Sequence, residues 1–176
     1  MNLKLQRILD RLEAERKDLL DELSALPDQR FNTNPSPGKW SISQILTHLI
    51  TSEKLTLLYM RKKSMGINEL DNSGWIESLK MILLKVSQRL PFLTYKAPPI
   101  VVEHTPEALS YAEAVEQWSK VRALLKKFLG AIEERNVRKK IYKHPVAGRL
   151  DVSQALEFCG EHIRHHLPQI KKLMKD

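Results

Sequence analysis

Residues 111–132 read YAEAVEQWSKVRALLKKFLGAI, and this stretch decides the fold. Tyr111, Ala114, Trp118, Val121, Leu125, Phe128 and Ile132 recur at alternating steps of three and four. That spacing lays one apolar stripe along a helix, in the heptad form of a helix packed against other helices. Ser110 stands before the stripe and Glu113 three residues later, the capping box that starts a helix.

Working towards the N-terminus, a second stripe joins Leu5, Leu9, Leu12, Arg16, Leu19, Leu23 and Leu26 within the first 26 residues. Arg16 interrupts it, either as a chain that snorkels at the stripe's edge or as a charge facing an internal cavity. Residues 27–40 hold Pro27, Pro35, Pro37 and Gly38 and read as a loop. Ser41 and Gln44 form another capping box and predict a helix over 41–63, ending towards Gly66. A shorter apolar-periodic segment over 75–89 follows Gly74 and stops at Pro91. The stretch 91–109, with Pro91, Pro98, Pro99 and Pro106, reads as an extended crossover long enough to run the bundle end to end. Beyond the central helix, KHPVAGRL at 143–150 turns the chain, and Asp151 with Gln154 caps a last helix running to about Leu173. No stretch alternates with period two, so no sheet is expected. The expected fold is all-α, a four-helix bundle with one long crossover and one extra short helix, in a single domain over 1–176.

Composition agrees. A chain of 176 residues can bury a core without disulfides, and its one cysteine, Cys159, cannot form one internally. No apolar run approaches the ~20 residues a membrane span needs, and the N-terminus alternates charge with leucine, unlike a signal peptide. The expectation is a soluble cytoplasmic protein with no membrane partner. The net charge of +8 gathers at 61–63, over 135–143 and at Lys171, Lys172 and Lys175. Those clusters fall mostly where helices should end, where cations are favourable without a ligand, so no nucleic-acid partner is expected.

The histidines carry the chemistry. His162 and His166 stand four apart on the last helix, so both rings leave one face a turn apart. Ala155, Cys159 and Leu173 share that face, which makes it the buried one. His48 lies on the second helix, on a face with Ile45, Ser52 and Thr56. From their caps the three histidines rise by ~10, ~16 and ~22 Å, heights that can coincide on antiparallel helices. Three neutral imidazoles in an interior need a partner for their lone pairs; a divalent metal is one, and three ligands leave a position open. His165 points about 100° away from His166 and reads as outward-facing or supporting. His104 and His144 lie in loops beside prolines.

The segment from Pro35 through Trp40 and Ser41 to His48-Leu49 resembles the start of the second helix in the DinB-like, YfiT-type superfamily. Glu53 matches a glutamate often found soon after that histidine. His144-Pro145 to Gly148, and then Glu161 to Ile170 with its H-x-x-x-H and trailing Gln169-Ile170, resemble the family's C-terminal motif. The resemblance spans about residues 5–173. It implies an up-down-down-up bundle, a zinc, nickel or iron site on His48, His162 and His166, and often a homodimer. Family members include bacillithiol-dependent S-transferases and mycothiol-dependent isomerases. The expected function is therefore a metal-dependent transferase or hydrolase-type enzyme acting on a small molecule with a low-molecular-weight thiol. The rival readings are a metal- or ligand-binding bundle without turnover, and a bundle with vestigial histidines that acts through dimerisation.

With the histidines engaged as ligands, an acid–base group must come from elsewhere, and Glu53, Gln44 and Arg16 are the candidates. Cys159, one turn before His162, is either a small core residue or a reactive thiol. Pro168 cannot donate to the carbonyl of Arg164, so the last helix should kink or loosen there. If the break rotates His166, ligation fails; if it follows the ligands, it shapes the pocket.

Overall fold

A computed structural model describes residues 1–89 and 109–175. The crossover expected over 91–109 lies outside the described residues except for Leu109, and so does His104. The described chain is mostly helical, with one small sheet. Helix α1 spans Leu3–Leu23, α2 Asp28–Asn32, α3 Ile42–Ser64, α4 Trp75–Arg89, α5 Tyr111–Gly130 and α6 Val152–Lys175. None of these helices is long and apolar enough to cross a membrane.

The caps act where the sequence places them. Ser41 and Gln44 exchange side chain and backbone at the start of α3, as do Ser110 and Glu113 before α5. Asp151 Oδ1 accepts from the Gln154 N–H while Gln154 Oε1 accepts from the Asp151 N–H, which fixes the start of α6. Each exchange satisfies amides that a helix start leaves unpaired. The basic residues Arg61, Lys62 and Lys63 close the last turn of α3, and Lys172 and Lys175 the last turn of α6.

Two expectations need correction. Residues 27–40 are not loop throughout, because α2 forms a short helix after Pro27. Its anchor is Phe31, which is buried and meets the Tyr111 ring edge-on at 5.9 Å. A sheet is also present: β1 (Tyr142–His144) and β2 (Gly148–Leu150) pair antiparallel, with Tyr142 opposite Leu150. Three-residue strands are too short to show a period of two. Gly148, at φ +76°, supplies the left-handed backbone that the tight return requires.

Helix α3 packs on α5 and α6, α1 packs on α6 and α5, and α4 lies against α6 and β2. The apolar interior falls into two clusters. One gathers Leu9 and Leu12 of α1, Leu57 of α3, Leu125 of α5, and the hairpin with Ala155 and Cys159 of α6. The other gathers Leu19 and Leu23 of α1, Ile45 and Leu49 of α3, Trp118 of α5 and Ile163 of α6. The boundary between them crosses α1 at 13–18, α3 at 51–56, α5 just after Val121 and α6 at 160–162. Polar side chains occupy this belt, among them Glu13, Arg16, Glu53 and Arg122.

Helix α6 continues through Pro168 to Lys175, and the histidine pair lies before the proline.

Candidate metal centre

Two helices bring three histidines to one point. The capping box at Ser41 sets where α3 begins, so His48 falls two turns in, on the face that also buries Ile45 and Leu49. His162 and His166 project from one face of α6. One ring nitrogen from each of the three lies within 4.8 Å of the others. Nε2 of His48 approaches Nε2 of His162 to 3.0 Å. The His166 ring stands 5.2 Å from the His48 ring and 5.0 Å from the His162 ring.

The surroundings keep these rings neutral. Burial first, and then the neighbouring imidazoles, push His48 down to about 4 and His162 well below its ordinary range. Burial also holds His166 at about 4, opposed by its hydrogen bond to Gln169. Neutral imidazoles carry the lone pairs that a cation takes. Trp40 covers His48 with ring centroids 5.1 Å apart, and Phe158 stacks on His162 at 5.5 Å. His166 donates from Nδ1 to Gln169 Oε1 at 3.2 Å, which leaves its Nε2 lone pair available.

These residues fit a divalent ion. Two imidazole nitrogens on one tetrahedral zinc would lie about 3.3 Å apart, close to the separation of the His48 and His162 nitrogens. Nδ1 of His48, the ring nitrogen other than the one that faces His162, is buried without a hydrogen-bond partner, so no neighbouring group fixes the tautomer of this ring.

Among the described residues, the two remaining histidines lie outside the cluster. The His165 ring is 5.1 Å from that of His166 but belongs to no ligand set. His144 closes β1 and is buried, with Nδ1 accepting from the Val146 and Ala147 N–H groups at 3.1 and 3.0 Å. Its edge meets Phe158 at 4.4 Å, and burial pushes it down to about 4. It holds the hairpin behind Phe158.

The acid–base candidates have other partners. Glu53 Oε2 accepts from Trp118 Nε1 at 3.0 Å and from Arg122 Nε at 2.8 Å, while its Oε1 accepts from Arg122 Nη2 at 2.6 Å. Gln44 Oε1 accepts from the Ser41 N–H and from Asn34 Nδ2, so its carboxamide serves the start of α3. Arg16 pairs with Glu13 and donates to Ser119 Oγ on α5, bridging helices at the belt instead of reaching the histidines. Burial raises the Cys159 thiol well above its usual range, so the core reading of this residue holds.

Sequence reading gave no role to Gln169, Phe158 or Arg122. Gln169 had a usable signal, since it stands three residues beyond His166 on the same helix. Arg122 had none, because its partner Glu53 is 69 residues away.

The chain is 27% identical over 162 residues to the uncharacterized protein YuaE of Bacillus subtilis strain 168, covering 90% of this chain and 91% of YuaE. The crystal structure of a conserved protein from Enterococcus faecalis superposes with a TM-score of 0.54 at 17% identity, over 98% of this chain and 95% of that one, and so shares its fold. Residues 11–170 match the DinB superfamily, and the chain belongs to that family.

Proposed function

We propose that His48, His162 and His166 hold a divalent metal ion, zinc, nickel or iron, in a single-domain cytoplasmic bundle of up-down-down-up topology. The observation that carries this reading is the 3.0 Å approach of the His48 and His162 Nε2 atoms, with His166 in the same cluster. A bound ion would supply Lewis-acid polarisation and a lowered pKa for a water or thiol on it. The chain's own residues do the rest. Gln169 fixes the tautomer and direction of His166, while Trp40 and Phe158 flank His48 and His162 with rings that exclude water.

On this reading the protein is a metal-dependent transferase or hydrolase-type enzyme that uses a low-molecular-weight thiol on a small-molecule substrate. It acts as a homodimer, without a nucleic-acid or membrane partner. The family membership and the three-histidine cluster support the metal half of this reading. One observation favours the rival without turnover: Glu53, Gln44 and Arg16 are all engaged in structural contacts.

The test begins with metal analysis of purified protein. One equivalent of ion, lost in His48→Ala, is the expected result. Protein that neither contains nor takes up metal would sink both metal readings. Turnover of electrophiles with bacillithiol or a related thiol, absent in His48→Ala, then separates the enzyme from the binding protein.

A further inference from the structure

Helix α4 is amphipathic twice over. Its inner face buries Met81 and Leu84 against the body of the protein. Its outer face exposes Trp75, Ile76, Leu79, Ile82, Leu83 and Val86, with Trp75 at 76% and Leu83 at 60%. These residues recur at helical spacing, so they form one continuous stripe and not scattered apolar positions. A contiguous exposed stripe of this kind marks an interaction surface.

Two of the charges on the helix are engaged within the chain, while Lys80 is exposed beside the stripe. Glu77 pairs with Lys140 at 3.0 Å and accepts from the Gly74 N–H, and Lys85 pairs with Glu157 at 2.6 Å. The stripe itself carries no charge, so it asks for an apolar occupant and not for an ionic one.

We infer that the outer face of α4 is where a second copy of this chain docks, helix against helix and antiparallel, around a two-fold axis near Met81. This rests on the homodimer reading and names the surface it uses. A two-fold contact requires that residue i meet j while j meets i. Ile76, Leu79, Leu83 and Val86 follow one another at steps of three, four and three, which read the same from either end. Turned end for end, Ile76 of one copy meets Val86 of the other, and Leu79 meets Leu83. All six side chains together expose roughly 600 Å² per copy, so a symmetric contact buries at most about 1,200 Å², the lower edge of a specific interface.

The test is the mass of the full-length protein by size-exclusion chromatography with light scattering across the micromolar range. The expected mass is twice the 20.4 kDa of the chain. The double substitution Leu79→Glu with Leu83→Glu should halve it while leaving the helical circular dichroism and the metal content unchanged. Both positions are exposed, so folding is not at stake. Wild type at the mass of one chain overturns the inference and the homodimer reading together. A double variant that stays at twice that mass overturns this surface alone. Orientation has its own readout: a mixture of Leu79→Cys and Leu83→Cys proteins should cross-link to a dimer severalfold more than either variant by itself. Equal cross-linking overturns the antiparallel register.

Discussion

Arg122 lays two of its nitrogens on the carboxylate of Glu53, at 2.6 and 2.8 Å, and both side chains are almost wholly buried. The pair ties α5 to α3 at the belt between the two apolar clusters. Trp118 adds its indole N–H to the same carboxylate.

A buried pair is costly to break from one side. Glu53→Leu leaves the buried guanidinium with only Glu13, 3.4 Å away, and should cost about 3–5 kcal/mol in urea unfolding. Glu53→Leu combined with Arg122→Met removes both charges and should recover most of that. A remainder of about 1–3 kcal/mol stays, because the Trp118 N–H loses its acceptor. A double variant as unstable as the single would show that the charges are not what matters there.

Metal should stabilise the fold measurably. An ion held only by the native state at a hundredfold excess over its dissociation constant adds about 2.7 kcal/mol. Chelation should therefore lower the thermal midpoint of the wild type by several degrees and leave His162→Ala unmoved. Equal midpoints for wild type with and without chelator would contradict the site.

Acid should weaken the metal-free protein. Burial holds His48, His166 and His144 at about 4, against an ordinary value of 6.5, so the native chain keeps them neutral. The unfolded chain takes up those protons first, so the stabilisation is complete above pH 6.5 and drains away as pH falls towards 4. Protonating His144 also removes the acceptor for the Val146 and Ala147 amides. His144→Phe should flatten the pH dependence of the melting midpoint without changing metal content. A metal-free midpoint that is constant across this window would rule the account out.

Gln169 should tune the site without making it. Gln169→Leu removes the acceptor that directs His166 and should weaken metal binding by about 10–100-fold, with the three histidines intact. Isothermal titration against His166→Ala separates a weakened site from a lost one. An unchanged affinity in Gln169→Leu would remove the residue from the site.

Much of the helical framework was legible in residue spacing and caps. The stripes of α1 and α5, the capping boxes at Ser41, Ser110 and Asp151, and the bounds of α4 at Trp75 and Arg89 all follow from local sequence. Helix α2 and the hairpin were not legible, for a common reason. Each is a few residues long and held by contacts to other elements, among them Phe31 against Tyr111 and His144 and Tyr142 against Phe158. The histidine cluster divides in the same way. The pair on α6 is a spacing within one helix, whereas His48 reaches it across 114 residues and was attached to it through the family resemblance. Glu53 looked like chemistry because no local signal names Arg122 as its partner.

The polar belt also acts as an index mark. Leucine stripes are nearly indifferent to sliding, since a helix displaced by one turn, about 5.4 Å, still presents leucine to leucine. Glu53 and Arg122 are not indifferent: the same displacement would drive a guanidinium among aliphatic side chains and leave a carboxylate behind. The histidines must meet within a few tenths of an ångström to share an ion, and no apolar surface discriminates that finely along its own length. The ion pair, about 1.4 turns further along α3 from His48, thus works like the detent on a sliding scale for α3 against α5. Arg122 also meets Glu13 of α1, and Arg164 of α6 holds Glu15 of α1, so the setting is passed on to the helix that carries the other two rings.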